Sequence, residues 1–336
     1  MKAVTCGTPF ATLVQEFFCN YLIAQRGVSG RTVCSYRDTF RLLLLYGQAN
    51  TKKPPERLTL DDFDAPLVLK FLDHLEKERK NTARSRNNRL AAVRTFMRYV
   101  SLRDPTSLPI AHRVLAIPMK RFDRPGLIFL TREEMRAIIE APDPSTWSGR
   151  RDQLMFATLY NTGARVSEVI GLRLKDVQLS PNRLVQIHGK GRKHRIVPLW
   201  KQTAKQLTEW LRLSDTSNPE APLFPNRHGK PLSRTGVEAR LRRAVVLASA
   251  THPALKIRRI SPHTIRHSTA LHLLQAGVDI TVIAMWLGHE SPATTHLYIE
   301  ANLAMKERTL SRLREIPAPR RRWKPSDRLL AFLDAL

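Results

Sequence analysis

The chain has 336 residues and carries 56 lysines and arginines against 29 aspartates and glutamates, a formal net charge of +27. Apolar residues make up 42% of the sequence, which is enough to build sizeable cores and excludes a disordered chain. Because folding does not require such a charge excess, the composition indicates a polyanionic partner. The length suggests two domains.

Membrane-spanning and secreted proteins are excluded by the same sequence. No apolar run approaches the ~20 residues that span a bilayer, and the first 25 residues lack a secretory signal pattern. The cysteines, Cys6, Cys19 and Cys34, match no zinc motif and are odd in number, so they cannot all pair. We therefore expect a protein of the cytoplasm whose cysteines are reduced.

The N-terminal part has the apolar spacing of a small helical domain. Thr8 and Pro9 are a suitable cap and first residue for a helix that continues to about residue 22. Further helices are predicted from Ser29, over about 65–80 and over about 82–102.

The last of these helices combines an apolar face with a basic one. Residues 81–124 contain ten basic and two acidic side chains. A row of arginines is usually a solvated helix face, but here almost no acid balances it, which favours contact with phosphates. The arginines are Arg84, Arg86, Arg89, Arg94 and Arg98.

The domain organisation follows from where periodic patterns stop. Residues 105–127 are rich in proline and basic residues without a long apolar period, so we expect an extended basic linker. The predicted division is a helical domain at 1–104, the linker at 105–127, a second domain at 128–316 and a tail at 317–336.

The second domain is predicted to be helical with one β-hairpin. Thr131 and Glu134 form a capping box, and alternation at 183–188 and 194–199 around a Gly-Lys-Gly turn indicates the hairpin. The fold class is therefore mainly α with a small β-hairpin or sheet (α+β). Helices are predicted at 152–160, 164–172, 200–213 and 233–249, and from Ser261, Asp279, Ser291 and Asn302.

Common metal and nucleotide motifs are absent from the sequence. His263 and His267 have the spacing of two metal ligands, but Thr264 stands where a metalloprotease has glutamate. Gly189-Lys190-Gly191 belongs to neither a complete Walker A motif nor a dinucleotide fingerprint. We expect no metal and no cofactor.

What remains is a set of side chains suited to phosphate chemistry without a metal. Each alone has an ordinary structural explanation, such as a solvated arginine or a core tyrosine. Their occurrence together in one basic domain favours a shared site. The set is Arg165, Lys190, His263, Arg266, His289 and Tyr298.

Four segments of this domain resemble the catalytic domain of the tyrosine recombinases, the family of phage integrases and Xer resolvases. They are TGARVSEVIGLR (162–173), GKGRKHRIVPL (189–199), HTIRHSTALHLLQAG (263–277) and WLGHESPATTHLYIE (286–300). The resemblance covers about residues 130–315, and the N-terminal part is similar to the family's core-binding domain. About 10 residues precede the first predicted helix, so we expect no additional N-terminal arm-binding module.

The resemblance implies a role for each catalytic residue. Tyr298 is the nucleophile, and Arg165 and Arg266 clamp the scissile phosphate, as guanidinium groups bind two oxygens at once. His263 exchanges the tyrosine proton, Lys190 protonates the leaving 5′ oxygen, and His289 contacts the phosphate. Glu168 supports an active-site partner, and Arg192 and Lys193 contact DNA beside Lys190.

The implied activity is site-specific cutting and rejoining of duplex DNA through a 3′-phosphotyrosyl intermediate. The implied assembly is a homo- or hetero-tetramer on two duplexes, with a second recombinase as a candidate partner. Two alternatives stay open: a type IB topoisomerase-like enzyme, and a non-enzymatic DNA-binding regulator. The apolar end of the tail either folds back on its own domain or docks on a neighbouring subunit.

Overall fold

The computed structural model describes residues 9–123, 126–189, 194–213, 218–288 and 333. The chain forms two compact units, residues 1–125 and 126–336. Within the described ranges, no helix is both long and apolar enough to cross a membrane.

The first unit is helical, as its apolar spacing predicts. A π-helical segment (Phe17–Gln25) directly follows the first helix, and short 3-10 turns occupy Pro55–Arg57, Leu60–Phe63 and Pro105–Ser107. Its α-helices are α1 (Phe10–Glu16), α2 (Gly30–Thr51), α3 (Ala65–Lys77), α4 (Ala83–Arg103) and α5 (Leu108–Leu115).

Aromatic rings fill the centre of this unit. Phe17 is fully buried, and its ring meets Phe96 of α4 edge-on at 5.3 Å between centroids. Phe10 of α1 stacks on Phe63 at 4.7 Å. Because such rings bury large apolar areas, the contacts hold the π-helical segment against α4 and α1 against the Leu60–Phe63 turn.

The prediction of an extended linker over 105–127 is wrong for its first half. Residues 108–115 form α5, which packs on α4 through the buried Ala111 and Val114. Pro109 stands in the first turn of α5, where a missing N–H group costs nothing, so this proline begins a helix and does not prevent one. The division between the units falls at residue 125, inside the range predicted as linker, so the first unit extends about 20 residues beyond its predicted end at residue 104.

The second unit combines seven α-helices with a three-stranded antiparallel sheet in the part of the chain described. The strands, in sheet order, are β1 (Val177–Gln178), β2 (Leu184–His188) and β3 (His194–Pro198). Short 3-10 turns occupy Leu174–Asp176 and Pro253–Leu255. The helices are α6 (Arg132–Glu140), α7 (Trp147–Thr162), α8 (Val166–Gly171), α9 (Lys201–Arg212), α10 (Arg234–Ala248), α11 (Pro262–Gln275) and α12 (Ile280–Leu287).

The predicted hairpin is confirmed, and β1 is an addition to it. Val185, Ile187 and Val197 are buried, whereas the residues between them face outward, as the alternation predicts. His188 pairs with His194 in the register of β2 and β3. β1 has only two residues, too few to leave a periodic signal.

Helix α7 begins five residues before its predicted start at Asp152. The Thr146 hydroxyl accepts a hydrogen bond from the Gly149 N–H group at 3.0 Å and caps the helix. A Cβ atom at Gly149 would lie 1.8 Å from the Asp143 carbonyl oxygen, so only glycine fits here. The predicted helix end at Gly163 is confirmed, with φ of 59° at that residue.

Candidate active site

The junction between α7 and α8 places Arg165. Gly163 adopts a left-handed conformation after α7, and a Cβ atom there would approach Leu287 Cδ2 to 2.4 Å, so this turn requires glycine. Arg165 then precedes the first residue of α8. Its side chain is 37% exposed, which leaves the guanidinium accessible to a ligand.

A buried carboxylate, Glu168, holds Arg165 in place. Glu168 accepts a hydrogen bond from the Arg165 backbone N–H group at 2.9 Å and another from Arg165 Nη1 at 2.8 Å. Burial alone would raise the pKa of Glu168, but its bonds to Arg195 and Arg165 outweigh that effect and hold the pKa below its ordinary value. The charged carboxylate therefore fixes the guanidinium, consistent with the predicted supporting position of Glu168.

Sequence reasoning missed Arg195, the second partner of Glu168. Arg195 Nη2 donates to Glu168 Oε2 at 2.7 Å, and Arg195 Nε donates to the Trp286 carbonyl oxygen at 2.9 Å. Arg195 thus connects β3, α8 and α12. A buried glutamate in a basic domain needs a cationic partner, but the sequence offers many arginines and no means of choosing among them.

Arg266 is buried at the meeting point of three helices. Its residue is only 4% exposed. Nη1 donates to the Gly163 carbonyl oxygen at 2.6 Å, and Nη2 donates to the Leu287 carbonyl oxygen at 2.8 Å. Since Gly163 ends α7 and Leu287 ends α12, Arg266 ties α11 to the C-terminal ends of both helices, close to Arg165.

His263 lies near the start of α11, among positive charges. Although its edge is open to solvent, partial loss of hydration and the charges of Arg234, Arg266 and Arg165 lower the pKa of His263. His263 is therefore neutral near pH 7 and able to accept a proton. Arg234, in the first turn of α10, is a further basic neighbour that the sequence did not single out.

His267 follows one turn later on α11, with its ring centroid 6.4 Å from that of His263. Burial lowers its pKa to about 4, so it remains neutral at ordinary pH. The described part of the chain contains no cluster of three or more histidine, cysteine or carboxylate side chains suited to a metal ion.

The structure therefore brings together Arg165, Glu168, His263 and Arg266 of the predicted site. The remaining site residues predicted in the second unit lie outside the described residues. They are Lys190, Arg192, Lys193, His289 and Tyr298.

Both units match models of known protein families. Residues 128–305 match the phage integrase family, and residues 15–103 match the N-terminal SAM-like domain of phage integrases. The first match covers more than half of the chain. The chain belongs to the phage integrase family. It is a site-specific tyrosine recombinase, of the family that cleaves and rejoins DNA through a phosphotyrosine intermediate.

Similar proteins of known sequence or structure agree with this assignment. A putative integrase/recombinase, y4rC, of Sinorhizobium fredii is 44% identical over 97% of this chain and 98% of its own. The tyrosine recombinase XerC of Pelobacter propionicus is 31% identical over 84% of this chain and 89% of its own. The XerH recombinase bound to its difH substrate shares the fold, with a TM-score of 0.63 and 23% identity over 82% of this chain and 78% of its own.

The basic face of α4 in this recombinase differs in part from the prediction. Arg84 is exposed and Arg89 is half-buried, with Nη1 donating to Thr39 Oγ1 at 3.1 Å. Arg94 is half-buried, and its Nε has no hydrogen-bond partner in the structure as described.

Arg86 does not lie on an exposed phosphate-facing surface, contrary to the prediction. It is 3% exposed and pairs with Glu76, whose Oε2 lies 3.5 Å from Arg86 Nε. Position 86 lies on the side of α4 that faces α3, away from solvent, so the Arg86 guanidinium pairs with Glu76 inside its own unit.

Proposed function

We propose that Arg165, His263 and Arg266 form the phosphate-binding and proton-transfer centre of this recombinase. The observation that carries the proposal is the fixed placement of two guanidinium groups beside a histidine that partial loss of hydration and the nearby positive charges keep neutral. As Tyr298 attacks, the phosphate gains negative charge, and arginines that are already positioned stabilise it without reorganisation.

The proton steps follow from the same arrangement. Neutral His263 takes the proton of Tyr298, whose hydroxyl is a weak nucleophile at its ordinary pKa of about 10. Lys190 protonates the leaving 5′ oxygen, and His289 contacts the phosphate and orients Tyr298. The products are a 3′-phosphotyrosyl bond and a free 5′ hydroxyl. Because one phosphodiester replaces another, rejoining needs no cofactor.

A suicide duplex tests this proposal directly. A nick close to the cleavage site makes the strand that carries the new 5′ hydroxyl so short that it diffuses away. Rejoining is then impossible, so an active protein remains covalently bound to DNA. We expect adduct formation to persist in excess EDTA, since arginines supply the charge that a metal would otherwise supply. The absence of an adduct on any cognate site would contradict the proposal and favour the DNA-binding regulator.

A type IB topoisomerase would use the same cleavage chemistry but would form a different product. A topoisomerase relaxes supercoiled plasmid as a monomer, whereas a recombinase exchanges strands between two sites. The match to the SAM-like domain and the XerC-type relatives favour recombination. Relaxation of a plasmid lacking any recombination site, without strand exchange, would favour the topoisomerase.

The proposed substrate is duplex DNA, and the proposed active assembly is a tetramer on two duplexes. XerH is bound to difH DNA in its post-cleavage complex, and a λ integrase dimer is bound to a core site. By analogy we propose the same substrate class here, with a second copy or a second recombinase completing the tetramer. Because the proposed substrate is DNA, we propose that the protein acts in the cytoplasm, at the nucleoid.

A truncation after Ile316 tests the tail. We propose that its apolar end docks on a neighbouring subunit, and we expect the truncated protein to bind one half-site normally but to form no synapse. Gel-shift assays on half-sites and paired sites measure both steps, with the full chain as control. Recombination at the wild-type rate by the truncated protein would contradict this role and favour folding back on the same subunit.

The exposed arginines of α4 are proposed to contact DNA phosphates. Arg84→Gln is expected to weaken binding to all duplexes alike and to reduce the slope of log K against log salt by about 1, because one phosphate contact is lost. Filter binding from 50 to 200 mM salt measures this slope.

Arg86→Gln is the matched control on the same helix. Since Arg86 is buried against Glu76, its replacement should lower the melting temperature and leave the salt slope unchanged. Equal slopes for wild type and Arg84→Gln would contradict the phosphate contact.

The pH dependence of cleavage tests His263. Its pKa lies below the ordinary value of about 6.5, so the neutral, proton-accepting form predominates above that pH. At subsaturating protein concentrations, the pH dependence of the second-order rate constant for adduct formation reports the pKa values of ionisable groups in the free enzyme. We expect it to stay constant from pH 8 down to about 6.5 and to fall below. A fall that begins above pH 7 would contradict this assignment.

A further inference from the structure

Two histidines face each other at the turn end of the β2–β3 hairpin. His188 and His194 are register partners on the solvent side of the sheet, and their Nδ1 atoms lie 2.7 Å apart. The carboxylate of Asp176, which is buried, lies behind the pair with Oδ1 2.8 Å from His188 Nε2. The proposed reaction uses none of these three side chains.

The hydrogen bonds determine where the protons are. A carboxylate only accepts, so the proton on His188 must be on Nε2, and the lone pair of the neutral ring is then on Nδ1. His194 Nδ1 therefore donates to His188 Nδ1. Asp176 is itself held, because its Oδ2 accepts a bond from the Arg173 N–H group at 2.8 Å. His188 thus presents an oriented nitrogen lone pair to its neighbour.

We propose that His188 and His194 bind a divalent transition-metal ion through their two Nδ1 atoms. Imidazole nitrogens suit Zn²⁺, Ni²⁺ and Cu²⁺ and not Mg²⁺ or Ca²⁺. At a Zn–N distance of 2.0–2.1 Å, tetrahedral geometry places two nitrogens about 3.3 Å apart. The present separation must therefore open by about 0.6 Å, which rotation of two solvent-facing side chains permits.

Binding of the ion releases no net proton, and a carboxylate orients one of its two histidine ligands. His194 moves its proton from Nδ1 to Nε2 through solvent as the ion binds, so both rings stay neutral and no proton is released overall. Asp176 continues to accept from His188 Nε2, the carboxylate–imidazole arrangement that orients metal-bound histidines. Water completes the coordination, since no third ligating side chain joins the pair among the described residues. The ion is thus an exchangeable ligand.

The bound ion would join the ends of the two hairpin strands, β2 and β3. His188 and His194 stand on either side of residues 189–193, which include Lys190. An ion that joins His188 to His194 holds the ends of β2 and β3 together and adds positive charge at the two strand ends that flank Lys190 in the sequence. We expect it to slow strand cleavage reversibly, a consequence that rests on the proposed role of Lys190.

Competition between the full-length protein and a chromogenic chelator for Zn²⁺ measures the site without DNA. We expect His194→Gln, which keeps a side-chain donor for His188, to weaken the binding of one Zn²⁺ equivalent at least about tenfold. Asp176→Asn should weaken it by about 10-fold to 100-fold, the usual effect of removing such a carboxylate.

His228→Gln is the matched control. His228 is exposed and outside the pair, with its Nε2 accepting from Arg227 Nε at 3.0 Å, so its replacement should leave the affinity unchanged. Equal Zn²⁺ affinity in the wild type and in His194→Gln would overturn the proposal. Because His194 faces solvent, this variant is expected to fold even if Asp176→Asn does not.

Suicide-duplex assays measure the effect on cleavage. Zn²⁺ should slow adduct formation by the wild type and by His228→Gln but not by His194→Gln, and EDTA should restore the rate. Zn²⁺ binding with an unchanged rate would overturn the effect on the hairpin. Absence of adduct in the metal-free wild type would instead count against the proposed reaction and leave the binding result standing.

Discussion

Tyr298→Phe is expected to abolish covalent attachment to DNA while leaving duplex affinity close to that of the wild type. The substitution removes only the hydroxyl oxygen that attacks the phosphate. DNA affinity depends mainly on many phosphate contacts by a chain of charge +27, and one uncharged oxygen contributes little to that sum. Denaturing electrophoresis of the suicide-duplex reaction measures the adduct, and gel shift measures affinity.

Other tyrosines provide controls for this experiment. Tyr160 is half-buried, and its hydroxyl bonds His272 Nδ1 at 2.7 Å, with burial raising its pKa. Tyr160→Phe should therefore affect stability and retain adduct formation. An adduct formed by Tyr298→Phe would show that another residue is the nucleophile and would refute the assignment.

Arg165→Lys and Arg266→Lys are both expected to reduce cleavage by about 10²-fold or more, the cost of losing one preorganised donor to a transition-state oxygen. An ammonium group keeps the charge but cannot bind two phosphate oxygens in the fork geometry of guanidinium. Single-turnover adduct formation at saturating protein measures the loss. Near-normal cleavage by either variant would contradict the clamp.

The two variants should differ in stability. Arg266 satisfies two buried carbonyl oxygens, and a lysine leaves at least one without a donor, which costs about 1–3 kcal/mol of unfolding free energy. Arg165 is partly exposed, and in Arg165→Lys the retained positive charge and Arg195 both keep the buried Glu168 paired, so we expect a smaller loss of unfolding free energy. Urea unfolding of both variants therefore separates the catalytic loss, which they share, from the structural loss, which belongs mainly to Arg266.

Local signals in the sequence were sufficient for most elements of the fold. Thr131 and Glu134 form the predicted capping box, with Thr131 N donating to Glu134 Oε2 at 2.9 Å. A helix cap depends on residues three positions apart, and the alternation of a hairpin strand depends on residues two positions apart. Both features are therefore determined by residues that are close in the sequence. The helix at 108–115 was missed because its prolines and basic residues obscure a short apolar period that is recognisable only against α4.

The sequence by itself determined the family and the mainly helical fold with its small sheet, because the order and spacing of the motifs are local properties. The same motifs contain the residues that we propose to carry the chemistry. Only the tertiary structure decided which charged side chains are exposed and which are buried and paired within the fold. Arg84 and Arg86 lie two positions apart on one helix, yet packing buries Arg86 against Glu76 and leaves Arg84 in solvent. Arg195 became visible as the partner of Glu168, 27 positions away, because a buried carboxylate must be paired, and chain folding chooses the partner.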